Sequence, residues 1–229
     1  MYKIYLSPAA HGRDNPCGYD SACGENIHCN LYIDELEPYL LACGFAVKRN
    51  PKDRTGDRLK EAIAESNAWG ADLHYIAHTN AGGGSYSLLM VYDQGAAYGY
   101  AEKLAARRRE IYAGNVKISV QPQWDELRLT AAPAVYDEMV FHDNAKDIAW
   151  FHEHLREMAE ATAKAICDMF GAAFVDPYAK PAEPAPEPES GGDVWYRVQV
   201  GAFREKANAD RLCAELQEKG YSAYVKAGA

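Results

Sequence analysis

Metal-assisted hydrolysis needs nitrogen and oxygen donors that meet from distant parts of a chain, with a carboxylate left over to move a proton. Four stretches offer such groups. Ser7-Pro-Ala-Ala-His11-Gly carries one imidazole, and Glu25 opens a helical pattern. His78-Thr-Asn80-Ala-Gly-Gly-Gly carries a second imidazole, and Glu138 precedes Phe141-His142-Asp143-Asn144. Two neutral imidazoles and one carboxylate form the ligand set of a hydrolytic zinc, whose fourth position is left for water. A further carboxylate could take the proton from that water. Spacing leaves the matter open, because 7 His and 33 Asp+Glu provide other such sets by chance.

The elements that must position these groups alternate between period two and the helical period. Tyr2–Leu6 reads as a first strand, followed by a loop over Ser7–Gly24. A helix follows on Leu31, Ile33, Leu36, Leu40 and Leu41 and ends at Gly44, where a glycine C-cap is expected. Phe45–Lys48 is a short strand, Arg58–Ser66 a helix, Asp72–His78 a strand and Ser87–Tyr92 another. Ala97–Tyr112 is helical with an outer basic face at Arg107–Arg109, Ala134–Phe141 is a buried strand, and Ile148–Phe170 a long closing helix. This alternation predicts an α/β fold, a mainly parallel sheet with helices on both faces. Ligands of such sheets sit outside the carboxyl ends of the strands, where the chemistry-bearing loops fall.

Composition narrows the function classes. The chain has 229 residues, 48% of them hydrophobic and 25% charged, as in ordinary folded domains. Its formal net charge of -9, from 24 Lys+Arg against 33 Asp+Glu, argues against a nucleic-acid partner. No apolar run approaches the roughly 18 residues of a membrane span, so no membrane role is expected. The N-terminus lacks a basic segment followed by a long apolar one, which predicts synthesis in the cytoplasm without a signal peptide. Cys17, Cys23 and Cys29 share one stretch while Cys43, Cys167 and Cys213 are scattered, with no CxxC pair. Reduced, idle thiols are the expectation. The clearest break is DPYAKPAEPAPEPESGGD, Asp176 to Asp193, with almost nothing to bury and many prolines. The expected organisation is a domain over 1–175, an extended Pro/Glu/Gly-rich linker over 176–193 and a small unit over 194–229.

Several motifs together resemble one family. ADLHYIAHTNAGGG is similar to the Asp-Leu-strand-His-x-Asn-Ala signature of zinc N-acetylmuramoyl-L-alanine amidases of the amidase type 3 family. APAVYDEMVFHDN resembles that family's Pro-Ala-Val-x-x-Glu-x-x-Phe-x-x-Asn segment, in the variant common among endolysins and sporulation amidases. SPAAHGRDNPCGY followed by GENIHCN matches its His-Gly loop and its helix-opening glutamate. The similarity runs over Met1–Gly171 in the family's order. It implies His11, Glu25 and His78 as zinc ligands, Glu138 as catalytic acid/base, and hydrolysis of the amide between the lactyl group of N-acetylmuramic acid and L-alanine of peptidoglycan stem peptides. Asn80 and Arg128 flank the family's groove and are candidate substrate contacts. Arg13, Tyr136 and Asp137 depart from the family pattern and bear on the shape of that groove.

Each residue also has a plain reading. His11 can cap backbone in a loop, and Glu25 suits any helix N-terminus by the macrodipole. His74 shares a strand face with His78 and is the better core histidine; His142 reads as a loop residue and Gly82–Gly84 as a flexible groove edge. Two rival functions stay open, an inactive peptidoglycan-binding protein and a metallopeptidase cutting within the stem peptide. Without a signal peptide, an enzyme of this kind would reach the wall after host lysis, holin release or mother-cell breakdown.

The tail opens on Val194-Trp-Tyr-Arg-Val-Gln-Val-Gly-Ala-Phe203. A helical pattern on Ala207, Ala209, Leu212 and Leu216 stops at Gly220, and Tyr221–Val225 reads as a strand. The runs VQVGAF and ANADRLCAELQEKGY resemble the first half of a SPOR domain, a peptidoglycan-binding module. The resemblance implies affinity for glycan strands. A single β-α-β half-module buries little surface, and dimerisation through it is one way to complete it.

Overall fold

Ala134–Phe141 is apolar at most positions, the composition of a strand covered on both sides. In the computed structural model, which describes residues 1–10, 15–17, 24–51, 58–179 and 198–226, this segment is β6 and all of it is buried. The other strands are β1 (Lys3–Pro8), β2 (Ala46–Arg49), β3 (Leu73–Asn80), β4 (Tyr86–Val91) and β5 (Asn115–Val120). They form one six-stranded sheet in the order β2-β1-β3-β6-β4-β5. All neighbours are parallel except β4 and β6, which are antiparallel. β4 and β5 therefore run against the rest, and the N-terminal end of β4 meets the carboxyl end of β6.

Alternation along the strands sorts the side chains onto two faces. Ile4, Leu6, Leu73, Tyr75, Ala77 and Val135 enter the main core with α1 (Glu25–Ala42), α3 (Ala96–Ile111) and α6 (Leu155–Phe170). Burying each such aliphatic side chain contributes about 1.5–3 kcal/mol. On the other face Ile76, Met90, Ala134 and Tyr136 gather with Leu127 of α4 (Asp125–Arg128). α2 (Leu59–Trp69) lies against the same face, where Glu65 accepts a 2.8 Å hydrogen bond from the Tyr5 hydroxyl. The expected α/β architecture with helices on both faces holds.

Three local expectations are corrected. The closing helix is two helices, α5 (Ala145–Glu153) and α6, with a break at His154, whose ring Nδ1–H donates to Trp150 O (3.0 Å) and which stacks on the Trp150 ring. Arg108 does not belong to an outer basic face. Three consecutive residues cannot share one side of a helix, and Arg108 falls with Ala101, Leu104 and Ala105 on the buried side of α3. Cys17 is disulfide-bonded rather than a reduced thiol. It sits in the β1–α1 connection, rich in Gly, Pro and Asn, where a covalent link supplies constraint that little apolar burial can.

The chain divides into two compact units, Met1–Pro181 and Ala182–Ala229. In the first, residues beyond α6 still pack: Phe174 stacks on Tyr39, and Tyr178 meets both Tyr39 and the Arg156 guanidinium. In the second, α7 (Lys206–Glu218) forms as expected, but residues 198–203 and 221–226 form no strand. A strand exists through its pairing, and Val198, Val200, Tyr221 and Tyr224 are all exposed. Among the described residues no helix is long and apolar enough to cross a membrane.

Candidate metal centre and active site

Three loops meet at the carboxyl edge of β1, β3 and β6. Gly24 is extended and lets α1 begin at Glu25, whose backbone N–H donates to Asn15 O at 3.0 Å. The Glu25 carboxylate is turned inward and is only 2% exposed. Its Oε1 lies 2.8 Å from Nδ1 of His78 and accepts from the Thr79 backbone N–H at 3.1 Å, while Oε2 accepts from Asn15 Nδ2 at 2.6 Å. His78 stands at the end of β3, 7% exposed. Glu138 is its register partner on β6, so the two side chains leave the same face of adjacent strands. Glu138 is 8% exposed.

A carboxylate oxygen and an imidazole nitrogen at this separation, both nearly buried, share either a proton or a divalent cation. The pair supplies two of the three expected ligands. The third, His11, lies outside the described residues. Among the described residues no group of three His, Cys, Asp or Glu side chains converges as a metal site. The donor chemistry present fits a zinc held by Glu25, His78 and one more ligand, with Glu138 beside it.

The surroundings fix these groups. The Tyr136 ring lies 4.4 Å from that of His78. Burial first, then the Glu138, Glu126 and Glu25 carboxylates, hold the Tyr136 phenol well above its ordinary range, so it is neutral at physiological pH. His142, which the sequence placed in a loop, is buried with Nδ1 3.0 Å from the Thr79 hydroxyl, and so pins the residue that follows His78. The Gly82–Gly84 loop, read from sequence as a flexible edge, is tied to Asp143. The Gly82 and Gly83 N–H groups donate to Asp143 Oδ2 at 2.6 and 2.9 Å. Both glycines adopt positive φ, the conformation that lets successive N–H groups converge on one acceptor.

Other candidates fall elsewhere. His74 is fully buried, stacked on Tyr5, with Nε2 3.0 Å from Glu126 Oε1; it belongs to the core. Asn80 closes β3 and accepts from the Ala81 N–H through its own side chain. Arg128 is on the exposed side of α4, bonded to Asp125 at 2.6 Å. Sequence reasoning passed over Glu126, which accepts from Ser7 Oγ at 2.6 Å as well as meeting His74, and so ties α4 to the sheet. Nothing in its four-residue helix signalled burial. It also passed over His28 of α1, buried against Phe151 and His152 and with Nε2 3.6 Å from Cys17 Sγ. Burial, then His152 and His142, lower the His28 pKa to about 4, with Glu25 opposing them.

Comparison with known proteins adds the following. The chain is 30% identical over 237 residues to N-acetylmuramoyl-L-alanine amidase CwlM of Bacillus licheniformis, covering 98% of this chain and 85% of that protein. It is 26% identical over 232 residues to the sporulation-specific N-acetylmuramoyl-L-alanine amidase of Bacillus subtilis (strain 168), covering 98% and 84%. A SPOR domain matches residues 160–227. That match begins inside α6, which packs on α1 and α3 of the first unit. Among solved structures, an N-acetylmuramoyl-L-alanine amidase of Nostoc punctiforme superposes with a TM-score of 0.66 at 15% identity, covering 74% of this chain and 97% of that one. The catalytic domain of CwlV from Bacillus (Paenibacillus) polymyxa var. colistinus gives 0.64 at 14% identity, covering 76% and 100%. These two likenesses concern the fold.

Proposed function

The chain belongs to the N-acetylmuramoyl-L-alanine amidase family, and from that premise we propose that it is a peptidoglycan amidase. The bond cut is the amide between the lactyl group of N-acetylmuramic acid and L-alanine of the stem peptide, and the cofactor is zinc. One observation carries this reading: Glu25 Oε1 and His78 Nδ1 meet at 2.8 Å, with Glu138 in register with His78 on the next strand.

Glu25 and His78 would hold the metal together with His11, for which the sequence is the warrant. Bound there, zinc supplies a Lewis acid that polarises the scissile carbonyl and makes a water acidic enough to attack near neutral pH. The protein's own groups do the rest. The Glu138 carboxylate accepts the proton of the attacking water and returns it to the leaving amine of L-alanine. The Thr79 N–H and Asn15 amide hold the Glu25 carboxylate in one orientation, as groups behind a ligand do. Tyr136 excludes water from one side of His78. The pinned Gly82–Gly84 loop and Asp143 form one edge of the opening.

The test is product analysis of purified protein on muropeptides, with and without a chelator. Free stem peptides beginning at L-alanine, lost on chelation and restored by zinc, are expected. Cleavage inside the stem peptide would replace this reading with a metallopeptidase, and bound zinc without any product would leave a wall-binding protein. The tail's SPOR match supports glycan strands as a second ligand. Action on the wall after synthesis in the cytoplasm is part of the same proposal.

A further inference from the structure

Glu138 has a second neighbour besides His78. On β6's other side it pairs with Leu88 of β4, and Leu88 in turn pairs with Lys117 of β5, so all four share one face. α3 packs on the opposite face of β4 and β5, where Leu89, Val91 and Val116 are buried. On the near face Leu88 is only half-buried and Lys117 is exposed, its ammonium 3.6 Å above the Tyr86 ring. On this face Met90 is buried with Leu127 and Tyr136, but from Leu88 to Lys117, beside Glu138, the sheet is a partly open floor.

Trp124 stands at its margin. The residue precedes α4 and its indole is 36% exposed. The ring packs on Tyr136 at 5.0 Å, nearly perpendicular, and Tyr136 lies 4.4 Å from His78. An unbroken row of aromatic rings thus runs from the site to the surface. The mount is rigid, because α4 is anchored beneath it by buried Glu126 on Ser7 and His74. A large, half-exposed ring held still at the lip of an open floor is what a binding surface uses for a planar apolar partner at low entropic cost.

We propose that Trp124 is a sugar-stacking platform, which takes the apolar C–H face of a pyranose ring of the glycan next to the muramic acid being cut. The hydrogens on that face carry partial positive charge and sit on the negative face of the indole. The amide enters at Glu138, and the glycan extends past the half-buried Leu88 side of the sheet toward the exposed edge of Trp124. This rests on the amidase reading, and gives it a preference for substrates longer than one sugar.

The experiment compares the full chain with Trp124→Ala and Trp124→Phe on two substrates: a stem peptide on a single N-acetylmuramic acid, and the same peptide on a tetrasaccharide. Trp124→Ala should lower kcat/KM on the tetrasaccharide about tenfold, mostly through KM, as loss of an aromatic anchor does. It should leave the single-sugar substrate unchanged, and Trp124→Phe should recover part of the loss. Equal losses on both substrates, or none on either, overturn the platform. If wild type releases no peptide from either substrate, the amidase reading fails by itself. The platform is then decided by tryptophan quenching with the peptide-free tetrasaccharide. Quenching seen in wild type and absent in Trp124→Phe supports it, while equal quenching in both, or none in wild type, removes it.

Discussion

In the proposed mechanism Glu138 moves protons while Glu25 and His78 hold the cation, so the two roles are separable by mutation. Glu138→Gln keeps the shape and loses the base, so turnover should fall by about 10²–10⁴-fold with zinc content unchanged by atomic absorption. His78→Ala should lose the metal itself. His28 gives a second test. Its folded pKa of about 4 lies below the ordinary 6.5, so between those values the unfolded chain binds more protons, and stability falls as pH falls through the window. Thermal midpoints of His28→Asn should decline less steeply from pH 6.5 to 4 than those of wild type, with parallel curves above pH 7. A wild-type curve no steeper than the variant's would remove His28 from the acid response. At this scale the sequence located Glu25 at a helix start and His78 near a strand end, and the structure has both there, in contact with each other. The sequence was silent on the placement of Glu126, Trp124 and His28, which comes from packing between segments far apart along the chain.

The elements were readable in proportion to the length and purity of their period. β6 falls on Ala134–Phe141 as read, since eight largely apolar residues between turn signals leave little choice. β5 escaped although Val116, Ile118 and Val120 alternate, because Asn115, Lys117 and Ser119 make it look like a connection. The same interleaving is what leaves its near face open. Behind β6 lies a network that no local pattern announces. Arg108 NH2 donates to Asp137 Oδ2 at 2.7 Å and NH1 to Ser87 Oγ at 3.0 Å, while the Tyr75 hydroxyl donates to the same Asp137 oxygen. Both charges are buried. Asp137→Ala would strand the Arg108 guanidinium and should cost about 3–5 kcal/mol of stability, read as a lower urea midpoint. A change below about 1 kcal/mol, the worth of an exposed pair, would show that water reaches the site. Gly84 is a test of the neighbouring loop. A Cβ there would come under 3.0 Å from the Phe141 ring, which is buried against Tyr86. Gly84→Ala should lower the melting temperature by the equivalent of about 1–3 kcal/mol and reduce turnover, since His142 follows directly.

The molecule as a whole joins two units with different demands. The first has a two-sided core and builds its site by closing three loops over one sheet edge. The second exposes Val198, Val200, Phe203, Tyr221 and Tyr224, a surface that cannot stabilise itself by burial. Composition alone argues that the proline- and glutamate-rich run over 176–193 lacks a core, and all of it beyond Ala179 lies outside the described residues. The placement of its near end was not readable in this way, since Phe174 and Tyr178 reach back to Tyr39 through contacts that leave no periodic trace. Division of labour follows. A chain ending at Pro181 keeps every described residue of the proposed metal centre, so its hydrolysis of soluble muropeptides should match that of the full chain. Without α7 and its flanks it should lose retention on insoluble sacculi in a sedimentation assay, and its rate on sacculi should fall toward the rate set by collision alone, because tethering raises the local concentration of substrate. Equal sedimentation of the two proteins would place wall affinity in the first unit. A loss of soluble turnover would show instead that the tail completes the first unit's fold.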